Sequence, residues 1–169
     1  VDLIVASITL KYTQSNSVSY AVGGQVIGVG AGQQSRVDCV KLAGRKVAVW
    51  QLRQHPKVLN LKFKKGVKRQ ERVNARVRYI EGDMTPQERK VWEAMFEEIP
   101  QPLTQDEKKK FLATTSGVSL SSDAFFPFRD SIDHASMLGV SYVVQPGGSR
   151  LDNVVTDACD EYGMTMAFS

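Results

Sequence analysis

The chain is poor in the residues that cross-link small proteins: its 169 residues include two cysteines, two histidines and six prolines. Cys39 and Cys159 lie far apart and outside any paired motif, which argues against a disulfide framework and for free thiols in a reducing, cytoplasmic compartment. His55 and His134 have no convincing partner for a Cys-His hydrolase, and both read as structural or exposed. No apolar run approaches the length needed to cross a bilayer, and the opening residues lack a signal-peptide pattern. Internal repeats and low-complexity segments are missing as well. The glycine-rich stretch 28–36 is neither a dinucleotide fingerprint nor a phosphate loop, because no Gly-Lys-Ser/Thr follows it.

What is present suits one globular domain, with 42% hydrophobic and 24% charged residues, enough to bury a real core. The net charge of +4 fits anionic ligands as well as nucleic acid. Much of it comes from residues 57–78, where Glu71 is the sole acid and Val58, Leu59, Leu61, Phe63 and Val67 are interleaved with the bases. These charges keep to no single helical face and no base-stacking motif accompanies them, so a solvated or anion-attracting surface is the better reading than a nucleic-acid arm.

Periodicity orders the rest. Leu3, Ala6, Ser7 and Leu10 predict an opening helix capped by Asp2. Residues 17–22 and 25–29 read as strands joined at Gly23-Gly24, a tight hairpin turn. The three glycines from position 28 would let backbone approach a ligand, ahead of a helix that bears Arg36 at its mouth, carries Val40, Ala43, Val47 and Trp50 on one face, and ends near His55-Pro56. Thr85-Pro86-Gln87-Glu88 and Thr104-Gln105-Asp106-Glu107 start two connecting helices, the first with Trp92, Met95 and Phe96 as its stripe and Pro100 and Pro102 as its stop. Strand, helix, strand, helix, strand then follow to the end and imply parallel pairing, hence an α/β protein with a mixed sheet flanked by helices.

The stretch Ser121-Ser122-Asp123-Ala124-Phe125-Phe126-Pro127-Phe128-Arg129-Asp130 organises this plan. It reads as a buried strand, a rigid corner at Pro127 and a helix capped by Asp130. Such corners lie beyond the carboxyl ends of strands, where α/β sheets bind ligands. Its aromatic rings could wall a flat ring; an aromatic core corner with a helix cap is the bland alternative.

The decapeptide is similar to a motif of the AICAR transformylase domain of bifunctional purine biosynthesis proteins, which join AICAR transformylase to IMP cyclohydrolase. Lys11-Tyr12-Thr13-Gln14-Ser15-Asn16-Ser17-Val18, Gly28-Val29-Gly30-Ala31-Gly32-Gln33-Gln34-Ser35-Arg36, Phe63-Lys64-Lys65-Gly66-Val67-Lys68-Arg69 and Pro146-Gly147-Gly148-Ser149 resemble the same family, in its order. The resemblance implies a cytidine-deaminase-like three-layer unit, with residues 1–169 forming the second such subdomain of the transformylase domain. Its upstream half, the cyclohydrolase domain and the extreme C-terminus would lie outside the chain, consistent with a first residue that is not Met. The His-x-Glu or Cys-x-Glu and Pro-Cys-x-x-Cys motifs of zinc deaminases do not occur.

The family transfers a formyl group from formyl-tetrahydrofolate to AICAR, using a Lys-His pair; no Lys-His dipeptide occurs here, so no catalytic residue is assigned beyond a supporting role for Asn16, and the segment is expected to be inactive alone. By resemblance, Asn16, Arg36 and Phe125 hold the nucleotide, while Val37, Asn74, Pro127, Phe128, Asp130, Ser149 and Arg150 line the folate site. Thr13, Ser15, Ser17 and Asp123 resemble the surroundings of a structural potassium ion, with helix capping as the alternative role for the hydroxyls. A homodimer with composite active sites is implied too. No membrane partner is expected, and a basic nucleic-acid-binding module is the competing reading.

Overall fold

The computed structural model describes residues 1–169, which separate into two compact units, Val1–Ala48 with Leu112–Ser169, and Val49–Phe111. The first unit is built on a five-stranded sheet. Helix α1 (Asp2–Lys11) precedes the hairpin β1 (Ser17–Val22) and β2 (Gln25–Ala31), whose turn glycines Gly23 and Gly24 have φ of 60° and 79°. Helix α2 (Arg36–Leu52) leaves the hairpin. After the second unit come β3 (Val118–Ser122), α7 (Asp130–Ser136), β4 (Val140–Gln145), α8 (Asp152–Glu161) and β5 (Thr165–Phe168). The strand order is β2-β1-β3-β4-β5; β1 is antiparallel to both neighbours, and β3, β4 and β5 run parallel. The mixed α/β sheet flanked by helices is as the sequence rhythm predicts.

Alternation within β1 and β3 separates the two faces of the sheet. Ser19 and Ser121 are register partners and both point toward α1: the Ser19 hydroxyl donates to the Ala6 carbonyl at 2.7 Å, and the hydroxyls of Ser7 and Ser121 lie 3.0 Å apart. Val18, Tyr20 and Leu120 fill the opposite face, all fully buried. There α2 lies almost on the backbone of β2. A Cβ added at Gly28 would come within 2.6 Å of the Ala43 carbonyl oxygen, and one at Gly30 would collide with that of Cys39. These glycines therefore admit a helix, where the sequence suggested a ligand.

Two caps differ from expectation. Asp2 is the first residue inside α1 and makes no cap; its carboxylate accepts the turn amides of Gly23 and Gly24 at 2.9 and 2.7 Å. Arg129, not Asp130, occupies the cap position of α7.

The second unit is helical: α3 (Pro56–Leu59), α4 (Arg69–Glu81), α5 (Pro86–Glu93) and α6 (Gln105–Leu112). The capping boxes at Thr85 and Thr104 form as expected, each hydroxyl accepting from the amide three residues on. Trp92 donates to the Ala75 carbonyl at 2.9 Å and packs between Tyr79 and Phe96. Helix α5 ends well before Pro100. Helix α4 was not legible, because its buried residues, Ala75, Tyr79 and Ile80, are few against its charges. His55 is structural, its Nδ1 accepting the Lys57 amide at 3.1 Å. No helix is long and apolar enough to cross a membrane.

The packing of α2 on β2 yields a prediction. Gly30→Ala, at a position with ordinary φ, should destabilise the protein by roughly 1–3 kcal/mol through overpacking alone. A thermal midpoint equal to that of the wild-type chain would show that α2 does not rest on this strand as described.

Candidate functional site at the carboxyl edge of the sheet

Register brings the chemistry to one edge. Ser17 pairs with Ala31, Val18 with Ser122, Ser121 with Val144 and Gln145 with Phe168. The start of β1 and the ends of β2, β3, β4 and β5 therefore share an edge, and so do the segments 13–16, 32–36, 123–130 and 146–151 that leave it.

Arg36 is the centre of that edge. It is 7% exposed, so it is not the solvated first-turn arginine that sequence alone allows. One guanidinium nitrogen, Nη1, donates to the Ser17 carbonyl at 2.9 Å and forms a short contact with the Asp123 carboxylate; Nη2 donates to the Asn16 side-chain carbonyl at 2.9 Å. Asn16 in turn donates from Nδ2 to the Gln33 carbonyl at 3.0 Å, and its backbone carbonyl accepts from the Cys39 thiol at 3.0 Å. The Ser17 amide donates to Asp123 at 2.9 Å. Burial acts to raise the Asp123 carboxyl, but the Ser15 hydroxyl, the Ser17 N–H and the Arg36 guanidinium together hold it below the ordinary carboxylate range. Ser35 caps α2, its hydroxyl accepting the Asp38 amide at 3.2 Å.

The aromatic corner sits beside this cluster. Phe126 is fully buried, whereas Phe125 and Phe128 are 41% and 59% exposed. Pro127 and Asp130 are half-buried. The Asp130 carboxylate meets only the Ser131 hydroxyl, at 3.4 Å, and no helix amide. Across the edge the turn after β4 carries Gly147 and Gly148 at φ of 74° and 96°, tied by the Gly148 amide to Asp152 at 2.7 Å. The Ser149 hydroxyl accepts the Leu151 amide at 3.1 Å, and Arg150 is exposed. Val37 is half-buried in the first turn of α2. Asn74 belongs to the second unit, exposed on α4.

The oxygens expected around potassium are only partly disposed for an ion. The Thr13 hydroxyl donates back to the Thr9 carbonyl at 2.7 Å, as a helix-end hydroxyl does. The Ser17 hydroxyl is buried without a partner, but the charge of Asp123 is already met by Arg36. Thr13, Ser15, Ser17 and Asp123 thus offer a monovalent cation a poor fit as arranged, and no step is derived through one. No cluster of three His, Cys, Asp or Glu side chains able to hold a metal is formed.

Sequence reasoning missed the partners that hold the edge together, Cys39, Asp152 and Gln145. The amide of Gln145, fully buried, accepts from the Phe126 N–H at 2.6 Å. A glutamine closing an apolar strand was the one available signal.

The buried guanidinium–carboxylate pair, the exposed aromatic faces and the glycine turn lie at the carboxyl edge, where open α/β sheets carry their ligand sites. Comparison with known proteins makes the assignment more particular. The family model described as "AICARFT/IMPCHase bienzyme" matches residues 1–46, which contain two of the five motifs. Two curated relatives, each named "Bifunctional purine biosynthesis protein PurH", from Xylella fastidiosa strains 9a5c and M12, are 33% and 32% identical over 168 residues, 99% of this chain. The chain spans about 20% of the length of each. The matches bear out the resemblance, and the chain is a sequence relative of a segment of the bifunctional PurH proteins.

The ion pair can be tested directly. Asp123→Ala leaves the Arg36 guanidinium buried beside no charge and should cost about 3 kcal/mol in urea unfolding. Because the Asp123 carboxyl is held below its ordinary value of 3.8, its contribution is complete above that pH and is lost as pH falls through the lower folded value. The gap between wild type and variant should therefore narrow only in strong acid; a gap that is already closed at pH 5 would refute the pair.

Proposed function

We propose that the chain forms a ligand-binding segment of an AICAR transformylase, which moves a formyl group from formyl-tetrahydrofolate to AICAR in purine (IMP) biosynthesis. One observation carries the reading: the expected ligand residues of the first unit, scattered from Asn16 to Arg150, share a single sheet edge in a chain related to PurH proteins throughout its length. A cytidine-deaminase-like ancestry of the unit, a homodimer with composite sites and residence in the cytoplasm belong to the same reading.

In this reading Asn16, Arg36 and Phe125 hold the nucleotide. Arg36 acts through Asn16, since its guanidinium donates to Asn16, Ser17 and Asp123. Exposed Phe125 and Phe128 give apolar faces to flat rings. Asp130, unengaged by helix amides, accepts from the N–H groups of the pterin, with Val37, Pro127, Ser149 and Arg150 completing the folate contacts of this unit. Formyl transfer forms a bond from the AICAR amine to the formyl carbon, removes a proton from that amine, develops charge on the formyl oxygen and breaks the carbon–nitrogen bond to the folate. No Lys-His dipeptide is available in this sequence for the proton. Its residues bind and orient, and the isolated chain turns over little.

A second reading is favoured by one observation. Lys62, Lys64, Lys65, Lys68 and Arg69 are exposed and their side chains form no ion pair. Such a surface suits a nucleic-acid backbone, whose binding would weaken steeply with salt and on neutralising these five residues. Against it, the guanidinium carbons of Arg72 and Arg76 sit 5.7 and 5.4 Å from the Phe63 ring centre, covering the ring a base would stack on.

Calorimetric titration with AICAR and with a reduced folate separates the readings. Phe125→Ala should weaken AICAR about tenfold, and Asp130→Asn should weaken the folate by a similar factor. A wild-type chain that binds neither ligand at millimolar concentration would sink the proposal, and appreciable formyl transfer by the chain alone would sink the assignment of a binding role only.

A further inference from the structure

Gln145 is the one fully buried amide side chain at the carboxyl edge, and its polar groups reach two other segments, the aromatic corner and the last strand. Its Oε1 accepts from the Phe126 amide at 2.6 Å, its Nε2 donates toward the Met166 sulfur at 3.3 Å, and its backbone carbonyl accepts from the Ser169 amide at 3.0 Å. The next residue is Pro146, with fixed φ, which opens the glycine turn. An apolar side chain would fill the end of a buried strand as well, so the amide is explained by what it holds: an unpaired Phe126 N–H buried in the corner would be costly.

The geometry points to Gln145 as a positioning residue. It fixes the spacing and tilt of the aromatic corner relative to the turn at 146–150, and so presents Phe125 and Phe128 as a rigid wall to a flat, hydrogen-bonding ring. Phe126, pinned at its amide and buried at its side chain, is the pivot; the rings on either side are exposed. The ligand class rests on the transformylase reading. The positioning itself rests only on the contacts above.

The test uses the 169-residue chain with Gln145→Leu, which keeps the volume and removes both side-chain hydrogen bonds, and Gln145→Glu. Hydrogen exchange at the Phe126 amide should quicken at least tenfold in Gln145→Leu while the amides of β1 and β3 stay protected. Reduced-folate affinity should fall about tenfold, the equivalent of one lost hydrogen bond. In Gln145→Glu the neutral acid can still donate and accept, but its buried anion cannot donate and is disfavoured. Affinity relative to wild type should then fall as pH rises from 5 to 8, a dependence that simple loss of packing would not produce. Unchanged Phe126 exchange in the Leu variant overturns the proposal, as does faster exchange with undiminished folate affinity. If the wild-type chain binds no folate, the transformylase reading fails instead, and positioning is decided by Phe126 exchange together with line broadening of the Phe125 and Phe128 ring resonances in the Leu variant.

Discussion

The structure of the carboxyl edge depends on one buried charge. A guanidinium 7% exposed can remain in a protein interior only if its donors are met and its charge is balanced. Arg36 satisfies that condition with groups from two places distant in sequence: Asn16 and Ser17 at the start of β1, and Asp123 after β3. Because the charge cannot be left unpaired, these segments are held together wherever the chain is folded. Geometry that looks like a ligand site is thus first a solution to an internal electrostatic problem. The loops around it inherit their order from that solution.

A second constraint works through shape. Gly28 and Gly30 let α2 lie against β2 at backbone contact, which carries Arg36, the first residue of α2, over the start of β1. On the other face small serines, Ser19 and Ser121, let α1 settle close enough for hydroxyl-to-carbonyl and hydroxyl-to-hydroxyl contacts. Helices on both faces are therefore seated by small residues, while Tyr20 and Leu120 fill the α2 side.

Much of this was legible before any coordinates. Alternating or continuous apolar runs bounded by glycine located the hairpin and the three parallel strands, since burial on a sheet enforces those patterns. Thr85 and Thr104 announced their helices because a capping box is a local contact, readable within four residues. Helix α4 escaped because basic residues crowd its exposed surface and leave only a thin apolar stripe. The roles of Asp2 and Gln145 escaped for a different reason. Each is decided by a partner 19 to 22 residues away, such as the turn amides that Asp2 meets at Gly23 and Gly24, and local spacing carries no trace of such a partner. Arg36, which the resemblance gives a nucleotide contact, spends its guanidinium donors on Ser17, Asp123 and Asn16, partners that its place at the start of a helix does not announce.

The carboxylate of Asp2, bonded to the turn between β1 and β2, has a bearing on how the chain assembles. Contacts among α1, β1 and β2 all fall within the first 31 residues, so this corner closes on itself with short loops and little entropy lost. The neighbouring pairing of β1 with β3 joins Val18 to Ser122 across the whole of Val49–Phe111. During synthesis this corner can close before residues 118–168 exist, while the centre of the sheet must wait for them. The molecule is thus divided in time as well as in sequence: an early hairpin-and-helix piece offers an open strand edge that only the late strands can close.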